Sequence, residues 1–182
     1  MQTILIILMC VLAAVCYGVL QDQVTARVCV EYFTIGHVQY IRTDSSTLLG
    51  LYWGVVATWW VGLPLGVLMA AAARVGKRPK LSARSLMKPV VILMGVIGAF
   101  ALVAGIAGFI AARNDWVIIR EGTRLAARLP LEKHDAFLAN LWAHIAAYYV
   151  GAIGGVVLCV VVWMQRRTAG ARAEEGPEAT DA

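Results

Sequence analysis

Charged residues are scarce in this chain. They make up 15% of its 182 residues, where a soluble domain carries about 25%, and four long apolar stretches contain no Lys, Arg, Asp or Glu. That shortage excludes an ordinary soluble enzyme and a disordered chain. Cysteine is sparse and scattered: Cys10, Cys16 and Cys159 lie inside apolar stretches and Cys29 stands alone between two of them. No CxxC, no Cys/His zinc spacing and no disulfide framework follow from such an arrangement. Neither HExxH nor the ExxH of di-iron bundles occurs. A phosphate loop is missing too, as is a GxGxxG followed by a strand. The net charge of +5 does not point to nucleic acid, because the basic residues flank apolar runs, where they fix orientation.

What is abundant is apolar: 60% of the residues are hydrophobic and the mean hydropathy is +0.74. A helix crossing about 30 Å of hydrocarbon needs roughly 20 apolar residues. Segments 3–20, 47–73, 90–112 and 137–163 fit. Lipid offers backbone amides no partners, so the spans are helices. The expected fold is an all-α, four-helix transmembrane bundle over 1–167 with ordered outer loops, in contact with the lipid bilayer. Met1-Gln2-Thr3 has no basic n-region, no Ala-x-Ala site follows, and Val15 is a poor match before a lipidated Cys16. The first span is therefore expected to be retained rather than cleaved as a signal peptide.

The loop Arg74–Lys88 holds Arg74, Lys77, Arg78, Lys80, Arg84 and Lys88 and no acid, a cytoplasmic signature. Loops 21–46 and 113–136 mix both signs. Both termini are thus expected inside a bacterial inner membrane, and the acidic tail 168–182 disordered in the cytoplasm. Small residues recur at Gly50, Gly54, Thr58, Gly62, Gly66 and Ala70 in the second span. The third has Gly98, Ala101, Gly105, Gly108 and Ala112; the fourth has Ala139, Ala143, Ala147, Gly151, Gly155 and Cys159. Such stripes let helices approach closely, within one chain or between copies. Pro64 is expected to kink the second span. Trp53, Trp59, Trp60, Trp142, Tyr148, Tyr149 and Trp163 read as interfacial anchors.

All three histidines, His37, His134 and His144, fall on the outer side, with Asp22, Glu31, Asp44, Glu132 and Asp135. Imidazoles and carboxylates together can hold a transition metal. His134 and His144 are about 15 Å apart along one helix, so a metal site would need His37 or Glu31 folded back, giving His37, Glu31 and His144 as ligands. His144 lies two turns inside its span, where ionisable groups face the bundle interior. Asn140 and Tyr148, at i−4 and i+4, complete a polar face. The candidate cluster is Asp22, Glu31, His37, His134, Asp135, Asn140, His144 and Tyr148. Val24, Ala26, Val28 and Val30 alternate with polar neighbours, as in a strand, although the segment can equally continue the first helix and pair Arg27 with Glu31. Trp116–Ile119 with Arg120, Arg124 and Arg128 suggests an interfacial helix.

The block DQVTARVCVEYFTIGH (22–37), with Gly54–Trp60 and Leu141–His144, resembles a group of uncharacterised small bacterial membrane proteins that have four spans. The resemblance implies a bacterial inner membrane and no activity. Relatives often have His at the position of Gln21, a departure that weakens a metal reading there. Three functional classes fit the sequence. The first is a structural or accessory protein forming a homo-oligomer or joining a partner subunit. The second is a membrane enzyme or metal-binding redox protein with an outer-face site, and the third is a small transporter or oligomeric channel.

Overall fold

The computed structural model describes residues 1–174. Their regular structure is all helical, with no strand among them: α1 (Gln2–Val28), α2 (Glu31–Thr34), α3 (Ser46–Val56), α4 (Trp59–Arg74), α5 (Ala83–Arg113) and α6 (His134–Glu174), with a short 3-10 turn at Leu131–Lys133. Four helices, with α3 and α4 counted as one, are long and apolar enough to cross a membrane, as expected of a multi-pass membrane protein. Helix α1 lies against α3, α4 and α5, and α6 closes the ring against α5 and α4. One end of the bundle carries the segments between α1 and α3 and between α5 and α6; we call it the loop-rich end. The other is the basic end.

The small-residue stripes pack within the chain. A Cβ on Gly54 would stand 2.5 Å from the Val19 Cα, and one on Gly62 would stand 2.8 Å from the Val11 Cα. On the α5–α6 seam, a Cβ on Gly108 would meet the Trp142 ring at 2.7 Å. Backbone-to-backbone approach of this kind supplies dispersion contact where lipid provides no hydrophobic drive.

Five expectations need correction. The period-2 alternation after Gln21 is not a strand: Asp22, Thr25, Ala26 and Cys29 are buried at helical spacing, and α1 simply continues to Val28. Because the helix ends there, Arg27 does not pair with Glu31; it donates to the Gln23 carbonyl at 2.8 Å and to Thr47 Oγ1 at 3.1 Å. Segment 114–130 forms turns rather than an interfacial helix. Asp115 (φ 55°) and Gly122 (φ 76°) adopt left-handed backbone there, and Ile119, Leu125 and Leu129 pack down onto the loop-rich core. The second span breaks at Ala57–Thr58, upstream of Pro64; Thr58 Oγ1 bonds back to the Gly54 carbonyl, a competition with the helix that bends it. Finally, α6 runs to Glu174, so 168–174 are helical, and the rest of the expected tail lies outside the described residues.

At the basic end, Arg166 is 2% exposed and serves as a clasp. Its Nε donates to the Pro79 carbonyl and its Nη1 to the Ala72 carbonyl, both at 2.6 Å. Nη2 reaches the carbonyls of Val75 at 3.1 Å and Arg78 at 3.2 Å. These are carbonyls that the end of α4 and the turn after it leave without helical donors. Ser82 caps α5 by accepting from the Ser85 amide, and the Arg78 guanidinium lies 5.2 Å from the Trp163 ring centre.

Candidate functional site

The loop-rich core is built on α1 and α6. Asn140 Nδ2 donates to the Thr25 carbonyl at 3.1 Å, and both residues are buried. One turn further along α6, His144 Nε2 sits 2.9 Å from Asp22 Oδ1, with side chains 12% and 5% exposed. The other imidazole nitrogen, Nδ1, is 2.8 Å from the Asn140 carbonyl. A carbonyl only accepts, so Nδ1 carries a proton. The remaining contact then needs exactly one more, on Nε2 or on the Asp22 carboxyl. Asp22 and His144 therefore form one unit that holds a single transferable proton, charged on both partners or on neither.

Segment 29–37 folds back over this pair and brings His37 to the same cavity. Tyr32 stacks on His144, ring centres 4.6 Å apart and inclined by 29°. Its other neighbours are His37 at 5.0 Å and Phe137 at 5.4 Å. His37 Nδ1 faces the Tyr32 carbonyl at 2.8 Å. Gly36 permits this tight return, since a Cβ there would stand 2.5 Å from the Tyr32 carbonyl oxygen. Burial, reinforced by the Asp22 charge, pushes the Tyr32 hydroxyl well above the usual phenol range, so it stays a protonated donor. Cys29, beside this core, has its thiol pushed up to about 11 by burial and by the Glu31 carboxylate 3.4 Å away.

Beneath the pair lies a cavity of about 140 Å³ to which all four spans and the fold-back segment contribute. Asp22, His144, Tyr32 and His37 face it from the loop-rich end, Trp53 and Tyr148 from the sides, and Leu65, Leu93, Met94 and Ile97 from below. Tyr148 is 41% exposed and its hydroxyl donates to the Ala57 carbonyl at 3.3 Å. It thus stands at the edge of the bundle beside the break between α3 and α4.

Of the eight residues that the sequence suggests, Asp22, His37, His144 and Tyr148 line this cavity, and Asn140 braces it. Glu31 instead lies 3.9 Å from Lys133, and Asp135 lies 3.7 Å from Arg113. His134 turns to the Leu129 carbonyl at 3.3 Å. No three His, Cys, Asp or Glu side chains gather as a metal would need, among the described residues; the set His37, Glu31 and His144 is not assembled. Trp53, read as an anchor, is part of the cavity wall, its ring parallel to Phe33 with centres 6.2 Å apart. Tyr32 was missed; the signal was an aromatic pair four residues before a Gly-His. The chain matches no protein-family profile, no curated protein and no solved structure.

Proposed function

We propose that this chain is a multi-pass protein of a bacterial inner membrane that binds a small lipid-soluble ligand in its axial cavity, with Asp22–His144 as the polar anchor. The observation that carries the reading is the 2.9 Å acid–imidazole contact in the wall of a mostly apolar cavity. A pair serving only to tie two helices has no need of a cavity, and Asn140–Thr25 already makes that tie one turn away. A transporter is less well supported. The polar chain of Tyr17, Gln21, Asp22 and His144 gives way to Leu65, Leu93, Met94 and Ile97, and ionisable groups normally mark a conduit along its length. The six basic residues between Arg74 and Lys88 support placing the basic end and both termini in the cytoplasm, with the cavity toward the outer leaflet.

Bromobenzene tests this reading, because a cavity of ~150 Å³ accepts one benzene ring and bromine quenches tryptophan. Saturable quenching in purified protein, lost when Trp53 is replaced by Phe, is the expected result. Quenching that rises linearly with bromobenzene, or that persists unchanged in W53F, overturns it.

A further inference from the structure

The cavity carries more hydrogen-bonding capacity than the protein itself uses. Asp22 Oδ1 takes the His144 contact, and Oδ2 has no protein partner among the described residues. The Tyr32 hydroxyl and His37 Nε2 have none either, since the only His37 hydrogen bond runs through Nδ1. None of these atoms is sealed off, for among the described residues no fully buried side-chain nitrogen or oxygen lacks a partner. These three unpaired polar atoms thus line a cavity that is mostly apolar and aromatic. In water-poor surroundings such atoms are costly unless a ligand or water meets them.

Building on the small-ligand reading, we infer that the occupant is an oxygen-bearing six-membered ring on an apolar tail, that is, a quinone or quinol headgroup. Size comes first: about 140 Å³ is room for one six-membered ring. Shape follows, because the rings of Tyr32 and Trp53 offer flat walls against which another ring packs at offset-stacked or edge-on geometry. Chemistry decides between a plain ring and an oxygenated one. Tyr32, held protonated, donates to a ring oxygen. The Asp22–His144 unit keeps its one transferable proton within the Oδ1–Nε2 contact, so its free oxygen, Asp22 Oδ2, accepts from a phenol hydroxyl. The same wall therefore offers the Tyr32 hydroxyl to a ring oxygen of either form and an additional acceptor to the quinol. The tail leaves past Tyr148, which lines the cavity and is also exposed at the bundle edge.

The test uses full-length protein in lipid nanodiscs and three probes: a decyl-tailed benzoquinone without other ring substituents, its quinol, and decylbenzene. Trp53-dependent fluorescence reads the binding. Both oxygenated probes are expected to bind at least about tenfold more tightly than decylbenzene, a difference of ~1.4 kcal/mol. Tyr32→Phe is expected to shrink that preference to about threefold or less for both oxygenated probes, and Asp22→Asn to do so for the quinol. Tyr32→Phe leaves the acid–imidazole contact intact and so keeps the test open if Asp22→Asn does not fold. Equal affinity for decylbenzene and the oxygenated probes, or an unchanged preference in Tyr32→Phe, overturns the headgroup while leaving an apolar-ring cavity. Failure of every probe to bind saturably overturns both readings.

Discussion

At the scale of single residues, the two contacts of His144 fix what its replacement does. Removing one member of a buried acid–imidazole pair strands the other, which costs on the order of 3 kcal/mol. Asp22→Ala and His144→Ala are each expected to lower the thermal midpoint of the purified protein markedly. The double variant should be only slightly worse than either single one, a strong coupling that a thermodynamic cycle measures directly. Cys29 gives a pH signature. Its thiol is raised from 9.0 to about 11 in the folded chain, so the neutral form is the one that folding favours. That contribution is fully present below pH 9 and is lost as pH rises through about 11. Melting curves recorded across this alkaline window should fall less steeply for Cys29→Ala than for the parent, even though the variant starts lower. His144 was legible in the sequence because an ionisable side chain two turns inside an apolar span is itself the signal. Tyr32 and Trp53 were not, because aromatic residues near span ends usually anchor at the interface, and only the return of the chain at Gly36 converts them into cavity walls.

Among the elements, close approach separates glycines that cannot change from those that can. Gly54→Ala must drive α3 away from the Val19 backbone, 2.5 Å from the new Cβ, and is expected to destabilise by about 2 kcal/mol. Gly95 meets nothing within 4 Å and sits in mid-helix, so Gly95→Ala should raise stability by about 0.5–1 kcal/mol. Denaturation in the same detergent compares the two; similar effects would mean that α3 does not rest on α1 as described. The four spans were readable because each apolar run is long, uncharged and small on one face. Their ends were not. α1 continues eight residues past its apolar run, to Val28, because Asp22 and Thr25 find partners on α6 and in their own helix. The Thr58 break depends on a side chain bonding to Gly54, and a sequence pattern does not display that competition.

For the molecule as a whole, orientation is the property that loop charge alone predicts. With Cys16 changed to Ser, a membrane-impermeant maleimide applied to intact cells should label Glu121→Cys and spare Lys77→Cys. The reverse pattern would invert the bundle and place the cavity on the cytoplasmic side. Overall architecture was legible because the exclusion of charge from lipid dominates it. The cavity was not, since it exists only where four helices and a returning loop fail to fill the axis between them. Arg166 has one further consequence, for the order in which the protein can be made. The carbonyls it satisfies lie 87–94 residues earlier in the chain, and the contacts Asn140–Thr25 and His144–Asp22 span 115 and 122 residues. During synthesis the first three spans emerge without these contacts, and α6, which follows them, supplies them at both ends of the bundle. Chains that stop short of α6 should therefore be the forms that quality-control proteases recognise.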